Sequence, residues 1–198
     1  PDMPDRLPWR LRPLRTTMSA LMLYLGTTRR FEKLLHHTLV VGDDYHGFIN
    51  DVTRDRRMPR SNAVYIHAPS RTESAMAVPG GDSIAILLPV PNLASGDDWR
   101  ALEPRLRDRT LEGLEAWGLP GLRDSIVVER SWTPLTFRDE LLAPDGNAFA
   151  VEPSLQQSAY FRQPNRDRAV AGLYYVGGGT HPGAGMPGVS KIWAWLSG

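Results

Sequence analysis

No cysteine occurs in this sequence, which excludes disulfides, thiolate metal ligands and a thiol nucleophile, and fits a reducing compartment. An excess of one charge is missing too. Lys and Arg number 23 against 22 Asp and Glu, for a formal net charge of +1, so nothing draws the whole chain to nucleic acid or to an anionic membrane. A local basic cluster, Arg6, Arg10, Arg12 and Arg15, is interrupted by Pro4, Pro8 and Pro13 and reads as a solvated, poorly ordered lead-in rather than a nucleic-acid site. Long apolar runs are absent: the stretches at 20–25 and 84–90 fall far short of the roughly 18 to 20 residues that span a bilayer. Neither a spanning segment nor a secretory signal is expected.

The length of 198 residues suffices for one domain or two small ones with a real core. The chain opens on Pro1 rather than Met, and its first seventeen residues are rich in Pro and Arg, as if cut from something longer. The pattern then changes. SALMLYLG at 19–26, HTLVVG at 37–42, NAVYIHAP at 62–69 and SIAILLPVP at 83–91 are short apolar or β-branched runs bounded by Gly, Pro, Asp or Asn. They predict four strands of a sheet. Between the second and third, Tyr45, Phe48, Ile49 and Val52 recur at helical spacing and predict a helix with one apolar face.

The clearest helix spans 97–117, where Trp99, Leu102, Leu106, Thr110, Leu114 and Trp117 keep to steps of three and four. Asp97 or Asp98 suits its N-cap, Gly118 and Pro120 end it, and Pro104 belongs in its first turns or marks its true start. SIVVER at 125–130 predicts a further strand, FRDELL at 137–142 a short helix, and residues 173–176 a last strand. With no internal repeat, the reading is a mixed α/β (α+β) fold built on a mixed or antiparallel sheet plus helices.

That last strand runs into YVGGGTHPGAGMPGV at 175–189, in which six of fifteen residues are glycine. Without Cβ atoms, successive backbone N–H groups can approach an anion or a planar ring closely. The stretch is neither a phosphate-binding loop, which needs Gly-Lys-Ser/Thr, nor a G-x-G-x-x-G opening a βαβ unit. By spacing alone it is a ligand loop or a turn-rich connector. His181 within it is a base, a hydrogen-bond donor or a plain loop histidine. His36 and His37 have no carboxylate or third histidine at ligand spacing, so no metal site is expected.

A family resemblance narrows these alternatives. HHTLVVGDDY (36–45), LLPVPNL (87–93), PRLRDR (104–109), LPGLRDSIV (119–127), TPLTFRDEL (133–141), AFAVEPSLQQSAYFR (148–162), PNRD (164–167) and LYYVGGGTHPGAGMPGV (173–189) together resemble the C-terminal part of bacterial phytoene desaturases. The resemblance implies a flavoprotein fold like that of the amine oxidases, in which a Rossmann-type FAD domain is interleaved with a substrate domain. Residues 1–17 would then be a lead-in, 18–145 part of the substrate domain, and 146–198 the C-terminal part of the FAD domain. It also implies FAD as cofactor and desaturation of phytoene, a long apolar polyene, by an enzyme peripheral to the cytoplasmic membrane. A related carotenoid or isoprenoid oxidoreductase, an isomerase, or an inactive truncated product are the alternatives.

Carried over by position, Gly177, Gly178 and Gly179 would lie against the ribityl and pyrophosphate part of FAD, with Thr180, His181 and Gly185 beside them. Met186, Pro187, Gly188 and Val189 would sit near the isoalloxazine ring. Glu152 and His181 are the nearest candidates for proton handling. The apolar strands 18–25 and 84–90, with 132–137, Tyr160 and Phe161, carry a double reading as core or as lining of the polyene site. Two features depart from the family. No G-x-G-x-x-G βαβ unit for the ADP half of FAD is present, so FAD affinity is expected to depend on a missing N-terminal half. The tail SKIWAWLSG, with Trp193 and Trp195, replaces the family's closing helix and reads as frame-shifted or truncated.

Overall fold

The computed structural model describes residues 14–61, 63–158, 161–167 and 170–183. The chain forms two compact units, 18–148 and 1–17 with 149–198.

The first unit is organised by a five-stranded antiparallel sheet. Its strands are β1 (Ser19–Thr27), β2 (His37–Val41), β3 (Ala63–His67), β4 (Ser83–Val90) and β5 (Ile126–Trp132), in the spatial order β2-β3-β4-β1-β5. All four early strands and SIVVER form where their apolar runs place them. Side chains alternate between the faces of a strand, and the register divides this sheet cleanly. Leu21, Leu23 and Leu25 of β1, Ile66 of β3, and Ile84, Ile86, Leu88 and Val90 of β4 point to one face and are buried in a single cluster. That cluster is closed by Trp99, Leu106, Leu111 and Leu114 of helix α2 (Trp99–Trp117). Each such Leu or Ile contributes about 1.5–3 kcal/mol by leaving water, so this layer holds the unit together.

The other face carries Met22 and Tyr24 of β1, Tyr65 and His67 of β3, Ala85 and Leu87 of β4, and Val128, Arg130 and Trp132 of β5, paired by the same register. Toward the β2 edge it continues with His37, Leu39 and Val41. A smaller cluster covers one end, where Phe48 and Val52 pack with Ala63. These come from helix α1 (Tyr45–Ile49) and the π-helical turn Asn50–Asp55 that continues it, the helix foreseen from the spacing of Tyr45 to Val52.

Helix α2 starts at Trp99, with Asp98 as its N-cap accepting from the N–H groups of Arg100 and Ala101, and ends at Gly118 with φ 141°. Pro104 is its sixth residue, within the first two turns and not the start, so one intrahelical bond is forgone inside the helix. The short α3 (Leu122–Ser125) leads into β5. Helix α4 (Pro134–Leu141) begins three residues ahead of FRDELL. Thr133 and Thr136 form a reciprocal capping box there and Pro134 takes the first position, where a missing N–H costs nothing.

In the second unit, residues 14–17 pair with 150–152: Thr17 N–H donates to Ala150 O at 2.9 Å and Glu152 N–H to Arg15 O at 2.9 Å. The strand expected over 173–176 is not formed. Tyr174 makes one isolated bridge to Arg166, and an extended segment without a continuous neighbour has no ladder to join.

Candidate functional site

The glycine stretch is anchored from below by an arginine. Arg162 is buried, and its Nη1 donates to Gly178 O at 2.6 Å while Nη2 donates to Val151 O at 3.3 Å. Thr180, also buried, donates its hydroxyl to Gly177 O at 2.9 Å and accepts from Asn165 Nδ2 at 3.3 Å. His181 N–H reaches Gln163 O at 2.9 Å. Gly177 has φ 128° and Gly183 φ 130°, values that only glycine adopts without strain. Among the described residues, a Cβ on Gly177 would meet nothing within 4 Å. The carbonyls of Gly177 and Gly178 are thus spent on Thr180 and Arg162, and the bonds among described residues leave the N–H groups of Gly177, Gly178 and Gly179 unused. Such a turn fits a phosphate or a planar ring edge. Just before it, Tyr175 OH donates to Asp167 Oδ2 at 2.7 Å, and that bond raises the phenol above its ordinary pKa, with burial and the carboxylate's charge adding to it.

Glu152 and His181 have separate surroundings. Glu152 is half-buried and ion-paired, with Arg15 Nε at 3.3 Å; His181 is exposed. Gly185, Met186, Pro187, Gly188 and Val189 lie outside the described residues, as do Tyr160, Trp193 and Trp195. Phe161 is 67 % exposed. Arg162 was not singled out from sequence: an arginine in AYFR carries no sign of burial until the fold buries it.

On the sheet, the face away from α2 bears an apolar cleft of about 530 Å³, lined by Tyr24, Ala85, Val127, Val128, Met76 and Val78, with His67 at its margin. Val128 is 65 % and Val78 59 % exposed, so the cleft presents apolar side chains at its surface. Tyr24 meets Trp132 edge-on at 6.2 Å and Trp132 meets Phe137 edge-on at 5.8 Å, forming an aromatic border. Parity divides the strands: in β1 the odd-numbered leucines are core and the even-numbered Met22 and Tyr24 belong to the other face.

The structure also corrects the expectation for His36 and His37. A third histidine is at hand, because β2 pairs with β3 so that His37 stands opposite His67. One ring nitrogen from each of His36, His37 and His67 lies within 4.8 Å of the other two. Burial holds the His67 imidazole below its ordinary pKa, and the two neighbouring histidines lower it further.

Comparison with known proteins fits this architecture to a family. No protein-family model matches the chain. A lycopene-forming phytoene desaturase of Pantoea ananas is 43% identical over 181 residues, 91% of this chain and 37% of that protein. A neurosporene-forming phytoene desaturase of Rhodobacter capsulatus is 38% identical over 193 residues, 93% of this chain and 37% of its own length. The chain belongs to the bacterial phytoene desaturase family. The zeta-carotene-forming phytoene desaturase of Myxococcus xanthus is 37% identical over 181 residues, again 91% of this chain and 35% of that protein. The chain thus spans little more than a third of the length of these desaturases. The aligned residues take in the open sheet face, since they cover nine tenths of the chain.

Proposed function

We propose that this chain carries the polyene-binding sheet and part of the FAD site of a phytoene desaturase, an oxidoreductase of carotenoid biosynthesis. The observation that carries the reading is the apolar sheet face: a cleft lined by Tyr24, Ala85, Val127 and Val128 suits a long hydrocarbon that offers no hydrogen bonds, because its recognition rests on excluded water and shape. The aligned relatives are named for desaturating phytoene or a diapophytoene, which agrees with such a face.

The cofactor would lie against the glycine turn, with Gly177, Gly178 and Gly179 offering N–H groups and Arg162 holding the turn's shape from behind. Gly185 through Val189 are assigned to the ring-proximal part on the resemblance alone. When bound, FAD supplies a two-electron acceptor for removal of hydrogen from neighbouring carbons. The chain's own share is to orient the polyene and keep the site dry. Among its titratable groups, Glu152, ion-paired with Arg15, and the exposed His181 are the two candidates for proton handling. Turnover requires the remaining length of a complete desaturase. No helix among the described residues is long and apolar enough to cross a membrane; we assign the enzyme to the cytoplasmic membrane surface, where its substrate resides.

The reading is tested by adding a C40 polyene in detergent micelles to the purified chain and following tryptophan fluorescence, with Ala85→Asp and Val128→Asp compared. Saturable quenching that both variants weaken is the expected result. Equal quenching in all three chains would remove the sheet face from the argument. A parallel FAD titration, read by flavin fluorescence and melting temperature, checks the glycine turn separately.

A further inference from the structure

Three imidazoles packed on one sheet edge need an explanation that an apolar cleft does not give. The rings of His36, His37 and His67 have centroids 4.4, 4.8 and 5.2 Å apart in pairs, and His36 Nε2 is 3.0 Å from His67 Nε2. Two ligands of a tetrahedral ion bound at about 2.0–2.1 Å stand roughly 3.3 Å apart, so this pair already has nearly the separation that a shared ion requires. The Nδ1 atoms of His36 and His37 are held by outer partners. His36 Nδ1 is 2.7 Å from Thr72 Oγ1, and His37 Nδ1 is 2.7 Å from Tyr65 OH. Bonds of this kind fix the tautomer and aim of metal-binding histidines and leave Nε2 as the ligand.

We propose that His36, His37 and His67 form a binding site for one divalent transition-metal ion of the zinc type. Three neutral nitrogen donors select zinc, copper(II) or nickel(II) over magnesium and calcium, which require oxygen. The protein fills three positions and leaves a fourth for water. His37 is the exposed member and supplies the third nitrogen, already within 4.8 Å of the other two. The site has a structural effect as well. β2 is the outermost strand, and an ion shared by residues of β2, of β3 and of the turn before β2 clamps that edge to the sheet. Because His67 also borders the apolar cleft, the clamp fixes one side of it.

The test uses the tag-free chain after EDTA treatment and dialysis. Zinc chloride is titrated in by calorimetry and by thermal melting, and cobalt(II) serves as a spectroscopic probe of nitrogen ligation. The expected results are one ion per chain, a rise in melting temperature that grows with the logarithm of free zinc, no response to magnesium, and a cobalt visible band. His37→Gln, exposed and harmless to folding, should weaken zinc binding at least tenfold, as should His67→Gln, while His46→Gln leaves it unchanged. A folded wild-type chain with neither a melting shift nor a cobalt band would overturn the proposal. So would a zinc response that survives both His37→Gln and His67→Gln or that disappears with His46→Gln.

Discussion

Arg71 and Asp82 form a buried ion pair, Nη2 to Oδ2 at 2.9 Å, with side chains only 8% and 1% exposed. The carboxylate is fully engaged: Phe31 N–H donates at 2.8 Å and Ser70 Oγ at 2.9 Å. Removing one partner strands the other charge. Asp82→Ala should therefore cost about 3–5 kcal/mol, whereas the double variant Arg71→Met/Asp82→Leu should recover much of that loss. Urea unfolding of the single and double variants measures the difference, and additive losses would contradict it.

Two glycines should respond in opposite directions to alanine. Gly113, inside α2, has open space where a Cβ would go, so Gly113→Ala should stabilise by about 0.5–1 kcal/mol. Gly146 has φ 60° and a Cβ there would sit 2.1 Å from Pro134 O. Gly146→Ala should destabilise by at least about 2 kcal/mol, since both strain and overlap act together. Thermal melts of the pair suffice to check it.

Glu115 clips helix α2 to the start of α3. Its Oε1 accepts from Arg123 N–H at 3.0 Å and its Oε2 from Arg123 Nε at 2.7 Å, and these bonds hold the carboxyl below its ordinary value of 4.5. A carboxyl lowered by folding adds stability above its unfolded pKa and loses it as pH falls through the folded value. In melting scans below pH 4.5 the wild type should thus lose stability more steeply than Glu115→Gln, and added salt should narrow the gap. Parallel curves for the two chains would count against the clip.

Arg162→Met would leave the carbonyls of Gly178 and Val151 without the donor they now share. Both residues are half-buried, so the loss should be at most about 1–3 kcal/mol, the cost of a fully buried orphan acceptor. The loss should appear locally, as faster proteolysis within 175–183, while the sheet unit melts as before.

Much of the sheet unit was legible in the sequence because apolar runs ended by Gly, Pro or Asp coincide with strands whose cores are filled by local parity, as in β1 and β4. What stayed hidden depends on pairing between distant segments. His67 is invisible as a partner of His37 until β2 and β3 come into register. Pro104 read as either an early-turn residue or the helix start, and the apolar stripe from Trp99 to Leu114 carries the helix across the one bond it lacks. Residues 173–176 show the reverse case, since Leu-Tyr-Tyr-Val has the composition of a strand, but composition cannot supply the neighbour a strand bonds to. At the site, the glycine turn announced itself by sequence, and its buttress Arg162 did not.

The position of β1 sets the order of events when this chain is made. Of the five strands in this sheet it is the earliest in sequence, and it lies between β4 and β5 in the finished sheet, so neither of its hydrogen-bonded edges can be satisfied until Ser83–Val90 and then Ile126–Trp132 have emerged. Leu21, Leu23 and Leu25 wait in water for that whole interval, the kind of delay that slows folding and invites aggregation. A ribosome-bound chain halted before β4 would present β1 as a bare, sticky ribbon, and a chaperone would find its earliest work there.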